Sequence, residues 1–283
     1  VAREAAAAAP AALSVEASPS SPKQGGLVFL LVRSGRPLES LAVAGKTTGV
    51  FLEGEPGGRS FRGLAGVDLE AKAGKWEIRF EAVEAGGRSF SPTHRLRVEP
   101  GRFEVEPLRV DPRFVEPPPG EADRIREERE RVAQVWETGE ARRLWAGPFR
   151  DPVEAPAGSN FGARRVFNGQ PRSRHTGVDF AAPAGAPVTA PAPGRVALAE
   201  VHYFSGGTVI LDHGGGLFTT YFHLSRLDVR EDEPVETGDR IGAVGATGRA
   251  TGPHLHWGAR LRGARIDPLT LRWLPSWPLE PGR

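Results

Sequence analysis

Hydrophobic and polar positions alternate along most of this chain with a period of two, and a single stretch repeats at the helical period. Trp76, Ile78 and Phe80 interleave with Lys75, Glu77, Arg79 and Glu81, which predicts a strand with one face buried and the other in water. The unbroken apolar run at residues 27–32 predicts a strand covered on both faces. Gly54, Gly57, Gly58, Gly86 and Gly87 fall between such segments, where turns are needed. About seven strands within residues 13–99 predict a small immunoglobulin-like β-sandwich. The cysteine pair of antibody domains is missing, so strand count and patterning alone carry that reading.

Residues 1–12 are alanine-rich and read as a tether. Residues 100–120 form a proline-rich connector ending in Pro117-Pro118-Pro119-Gly120. A helix is predicted over 121–137, where Ile125, Val132, Val135 and Trp136 make an apolar stripe. Glu127 with Arg131 and Arg126 with Glu130 are spaced to pair one turn apart on its solvated face, and Gly139 is expected to end it. From residue 149 the period of two returns, with strands expected at 187–190, 195–203, 208–212, 217–223 and 240–244 and no helix of useful length before Pro268. The predicted class is mainly β. An N-terminal Ig-like sandwich (13–99) joins a C-terminal antiparallel sheet (149–283) through a connector and short helix (100–148), and loops of the second domain carry the site.

Composition narrows the function. Thirty-seven Lys and Arg against 35 Asp and Glu give a net charge of +2. No basic block tracks phosphates, so nucleic acid is not an expected partner. Cysteine is absent, which removes thiolate ligands and thiol nucleophiles. Methionine is absent even at position 1, leading to the expectation that a leader or anchor preceded Val1. The apolar run 27–32 is about a third of the roughly 20 residues a membrane span needs.

Six of the seven histidines lie between His175 and His256. His175 and Asp179 are an even number of residues apart, so an extended chain can point both to one side, and the same holds for His254 and His256. Between them comes Tyr221-Phe222-His223-Leu224-Ser225. Nitrogen donors with one carboxylate and spare histidines are what a hydrolytic zinc site requires: three protein ligands, a fourth position for water, and groups to move protons. Neither H-x-x-x-D nor H-x-H is specific alone; their combination in this order is. His94, His202 and His213 read as hydrogen-bonded structural residues. Residues 164–169 and the glycine-containing loop 245–252 are expected to wall a cleft, with Asn160 and Asn168 as candidates to touch substrate.

Residues 157–269 resemble the catalytic domain of the lysostaphin/LytM-type zinc metallopeptidases, which cut the peptide part of the bacterial cell wall. The resemblance runs through Ser159-Asn160-Phe161-Gly162, His175-Thr176-Gly177-Val178-Asp179-Phe180, the stretch 182–188, Tyr221-Phe222-His223-Leu224, and Gly252-Pro253-His254-Leu255-His256. It implies that His175, Asp179 and His256 bind one zinc ion and that His223 and His254 are the catalytic histidines. In that scheme His254 acts as general base or orients the water and His223 helps stabilise the oxyanion, with either histidine able to take the base role as far as sequence goes. It implies peptidoglycan peptides as substrate, a periplasmic or extracellular place in the cell envelope, and room for protein partners there. The competing reading is a degenerate member that binds and activates another wall hydrolase; it would lack some of these residues, and all five are present. A purely structural surface protein would leave the histidines unused. The N-terminal domain is expected to position the enzyme or to cover its cleft.

Overall fold

A computed structural model describes residues 12–44, 49–277 and 279; residues 1–11 of the expected tether lie outside them. Eight strands build the N-terminal part: β1 (Leu13–Ser18), β2 (Leu27–Ser34), β3 (Leu38–Val43), β4 (Val50–Gly54), β5 (Ser60–Gly66), β6 (Gly74–Glu84), β7 (Ser89–Phe90) and β8 (Thr93–Val98). They form two antiparallel sheets, β1-β2-β5-β4 and β3-β6-β7 with β8 on the other edge of β6. On β6 the alternation read from sequence is realised: Ile78, Phe80 and Ala82 are buried while Lys75, Glu77, Arg79 and Glu81 face water. They close against Val28, Leu30 and Val32 of β2. The other residues of that apolar run are only half-buried; they lie on the face of β2 turned away from this core, where Leu27 and Phe29 pack against the core of the C-terminal domain instead.

The connector is not a free spacer. Its strand β9 (Val105–Leu108) pairs in parallel with β10 (Arg164–Phe167), which pairs antiparallel with β11 (Gln170–Arg174). Pro107 is tolerated because β9 is an edge strand of this sheet. Helix α1 (Ala122–Glu137) lays Val135 against Leu198, Ile210 and Phe218, and Ile125 against Phe114 and Tyr203. Its charged face is only partly solvated. Arg126 does lie 3.9 Å from Glu130, but Arg131 reaches Glu200 and Glu231 in place of Glu127. The Glu128 carboxylate accepts the Tyr203 N–H at 2.8 Å. Charges that propensity would assign to water therefore tie the helix to the C-terminal domain. The helix stops at Thr138, one residue before Gly139.

The remaining strands are β12 (Gly177–Phe180), β13 (Pro187–Thr189), β14 (Gly194–His202), β15 (Gly206–Asp212), β16 (Leu217–Leu224), β17 (Arg226–Leu227), β18 (Pro234–Val235), β19 (Arg240–Ala243), β20 (Leu255–Leu261) and β21 (Ala264–Ile266). The main sheet has the order β12-β20-β16-β15-β14-β18, with β21 on β20, and β13-β19-β17 form a small second sheet. All of these pairings are antiparallel. Val178, Phe180, Tyr221, Leu255 and Trp257 fill the core between them. Phe51 and Leu64 of the sandwich enter the same core. Across this junction the buried Arg143 guanidinium stacks 4.3 Å from the Trp277 ring, meets Glu53 at 3.0 Å and donates to the Trp145 and Trp277 carbonyls. At the far end Asp68 pairs with Arg265 at 2.7 Å.

Candidate active site

Register brings the site together. Asp179 on β12 is paired with His256 on β20, and His256 with Phe222 on β16. Residues paired across antiparallel strands share a face, so one row of the sheet carries the carboxylate, the imidazole and an aromatic ring. The Phe222 ring stacks on His256 with centroids 5.0 Å apart and planes within 4°. His175 enters from the loop before β12, and its Nε2 lies 2.8 Å from His256 Nδ1. Each of these nitrogens is 3.0 Å from Asp179 Oδ1.

His175 Nδ1 donates to the Asn160 carbonyl at 3.0 Å, so its Nε2 keeps a lone pair. The Asp179 Oδ2 atom accepts from Asn160 Nδ2 at 3.0 Å and from Arg165 Nη2 at 2.6 Å, which leaves Oδ1 facing the two histidines. Three electron-rich atoms thus converge on one point, with the far sides of His175 and Asp179 fixed by Asn160 and Arg165 and the His256 ring stacked on Phe222, an arrangement that orients ligands around a metal. The donor set, two imidazoles and one carboxylate, fits a divalent ion that takes nitrogen and oxygen ligands. Burial pushes the His256 imidazole down to about 4, so it is neutral near pH 7. Burial opposes ionisation of Asp179, but the His175 and His256 imidazoles beside it outweigh burial and hold the carboxyl below the ordinary range.

His223 and His254 face this cluster without joining it. Two residues of β16, Phe222 and His223, stand opposite Thr208 alone on β15, a bulge in the ladder. His223 has φ of 66°, a left-handed conformation uncommon for a residue with a side chain. Bulges re-aim side chains, and this one swings His223 to within 4.8 Å of the His254 ring. His223 Nδ1 donates to the Thr247 carbonyl at 2.8 Å and His254 Nδ1 to the Gly252 carbonyl at 2.9 Å. In that tautomer each ring keeps its lone pair on Nε2, and that of His254 lies 3.8 Å from Asp179 Oδ1. Burial, with the neighbouring His254 and His256, pushes His223 down to about 3.

The other expected residues take different places. Asn160 lies at the cluster, bound through both side-chain atoms to Asp179. Asn168, expected to touch substrate, spends its amide on the connector: Oδ1 accepts the Val110 N–H at 3.1 Å and Nδ2 donates to the Val110 carbonyl at 2.9 Å. Its φ of 50° suits the β10–β11 turn, where Asn is tolerated. His202 binds Glu200 at 3.0 Å, and His213 bridges the Pro193 carbonyl and the Thr219 hydroxyl. His94 Nε2, in contrast to the hydrogen-bonded role expected of it, is buried with no partner. Sequence reasoning passed over Arg165, which joins Asp179 to Glu106 of β9 at 3.0 Å. The doubled Arg164-Arg165 before a cleft wall was the available signal.

Residues 173–268 match the model of peptidase family M23. The chain is 40% identical over 121 residues to peptidoglycan DD-endopeptidase ShyA of Vibrio cholerae, a match covering 42% of this chain and 28% of that protein. It is 43% identical over 97 residues to the DD-carboxypeptidase/endopeptidase Mpg of Neisseria meningitidis, covering 34% and 22%. The matches thus span less than a third of either relative. A solved structure from Pseudomonas aeruginosa, assigned to peptidase M23, aligns with a TM-score of 0.68 at 31% identity, over 89% of this chain and 95% of that one. With likeness running through the sandwich and connector as well as the histidine cluster, the chain belongs to peptidase family M23.

Proposed function

We propose that this chain is a zinc-dependent endopeptidase that hydrolyses peptide bonds of bacterial peptidoglycan in the cell envelope, with His175, Asp179 and His256 as ligands of one zinc ion. The observation that carries the proposal is the convergence of those three donor atoms beside two imidazoles that stay off the cluster. The Vibrio cholerae relative named for action on peptidoglycan supplies the substrate class. A bound zinc ion supplies Lewis acidity, polarising the peptide carbonyl and lowering the pKa of water toward neutrality.

The chain's own residues divide the proton work. Both Nδ1–H groups are committed to carbonyls, so His223 and His254 meet the attacking water as acceptors. His254, with its side chain 17% exposed, takes the proton on Nε2 and returns it to the leaving nitrogen as general acid. Burial keeps His223 neutral, so it orients the water through its lone pair. This differs from the oxyanion role expected of it, because a neutral ring with Nδ1 engaged has no N–H to offer at Nε2. Asn160 and Arg165 hold Asp179. In domain terms we assign residues 13–98 to the sandwich and the rest of the described chain, connector included, to the peptidase unit. An inactive activator would have no use for a complete donor set.

Digesting purified peptidoglycan with the full chain and identifying the released termini by mass spectrometry tests this. New amino termini within the peptides, lost on chelation and restored by zinc, are the expected result. Intact peptidoglycan with a zinc-loaded protein, or cleavage indifferent to chelator, would overturn it.

A further inference from the structure

The loop that orients both proton-handling histidines also carries a cation without a counter-ion. Arg249 lies two residues from Thr247, whose carbonyl fixes His223, and five before His254. Its backbone is held by the Phe204 carbonyl at 2.8 Å. The half-buried guanidinium is sandwiched between the Phe167 ring at 4.5 Å and the Phe204 ring at 4.9 Å. Phe167 belongs to β10, two residues from the arginine that grips Asp179. Arg249 thus bridges β10 and the loop that carries Thr247.

Among the described residues no carboxylate lies within 4.0 Å of Arg249, and its guanidinium donates no hydrogen bond to the protein; the charges that act on it are those of two more cations. Burial first, then the charges of Arg165 and Arg172, push it down to about 10. Arg165 is already satisfied by Glu106 and Asp179, and Arg172 is spent on the Val115 carbonyl and Gln170. Ring faces partly compensate a desolvated guanidinium, yet they leave its planar fork of N–H donors unused, and that fork is matched to a carboxylate. Arg143 and Arg265 are by contrast paired, Arg143 with Glu53 and two carbonyls and Arg265 with Asp68 and Glu70; Arg260 also rests on a ring, that of Trp136, but lies on β20 away from the loop that orients His223 and His254.

We infer that Arg249 is a substrate-recognition residue that binds a free carboxylate of the peptide beside the scissile bond. This rests on the endopeptidase reading above and adds to it a preference among peptides. The aromatic pair holds the guanidinium plane in place before substrate arrives, and the carboxylate completes the missing ion pair.

Two synthetic dimeric peptides joined through a D-alanyl bond test it, identical except that the carboxyl group nearest the scissile bond is free in one and a carboxamide in the other. For the wild-type full chain loaded with zinc, kcat/KM on the free-acid peptide is expected to exceed that on the amide by about tenfold or more, since hydrogen bonds to charged groups are the stronger kind. In R249Q this ratio falls to near one; R249K, which keeps the charge and loses the fork, falls between. A merely structural Arg249 would lower both rates in R249Q and leave the ratio where it was, which would overturn the inference, as would a wild type indifferent to the carboxyl group. If neither peptide is cut, the endopeptidase reading fails, and the affinities of the same two peptides, measured by calorimetry, decide this one separately. Tighter binding of the free acid by wild type and not by R249Q upholds it; equal affinities overturn it.

Discussion

Gly177, the middle residue of His175-Thr176-Gly177-Val178-Asp179, offers a sharp test of how the metal cluster is built. A Cβ placed on it would stand 2.3 Å from the Trp257 carbonyl oxygen, where Cβ atoms essentially never come under 3.0 Å, and 2.7 Å from His256 Nε2. The first of these neighbours is backbone, so no rotamer change relieves it; β12 and β20 must part. Overpacking of this kind costs about 3 kcal/mol, equivalent to a fall in Tm of about 6–12 °C for a folding unit of this size. The same shift moves the His256 ring off its position beside Asp179, so G177A should lose zinc as well as stability. Thermal melts by circular dichroism and zinc content by atomic emission read both effects. G252A is the control, because a Cβ there meets nothing within 4 Å and the backbone is not left-handed. A G177A protein with full zinc and a Tm within about 2 °C of wild type would refute the reasoning.

Three further outcomes are expected. H175A should lose both zinc and hydrolysis, whereas H254A should keep zinc and lose activity by about 10²- to 10⁴-fold, the range for general acid–base catalysis; equal zinc loss in both would contradict the division of labour. R143M strands Glu53 and two buried carbonyls at the domain junction, so it should cost about 3–5 kcal/mol and split a single calorimetric transition into two. His213 is fully buried and pushed down to about 4 from an ordinary 6.5, so the unfolded chain binds its proton first as the pH falls. Stability from this residue is present above pH 6.5 and is lost between there and pH 4, by about 3 kcal/mol. The stability advantage of wild type over H213Q, from urea titrations at pH 7 and pH 4, should shrink by that amount.

What could be read from the linear chain depended on the range of the forces involved. The faces of β6 and the apolar stripe of α1 were legible because alternation and helical period are local. The grouping of His175, Asp179 and His256 was legible because their motifs are short and a cluster of nitrogen and oxygen donors restricts residue type. The bulge at His223 was not, since a one-residue excess on β16 exists only relative to β15. Nor was the fate of Asn168 or Arg131: each answers to a partner about 60 to 100 residues away, and nothing near them in sequence distinguishes a docked polar side chain from a solvated one. The strand at residues 105–108 escaped notice for a similar reason. It has little apolar surface of its own and is a strand because β10 offers it an edge.

That edge pairing has a consequence for how such a protein can be rearranged in evolution. Recombination that cut at the start of the family match, residue 173, would deliver a sheet without β10, Arg165 or α1, and a cut just after α1 would leave β10 without its β9 neighbour, Glu106 gone from Arg165, and α1 stripped from β14. Insertions between residues 99 and 121 would pull on the same contacts. The cut that spares the most lies near Gly101, between β8 and β9. Exchange of the N-terminal sandwich among relatives should therefore leave the connector travelling with the peptidase, its length held while the sandwich ahead of it is free to diverge.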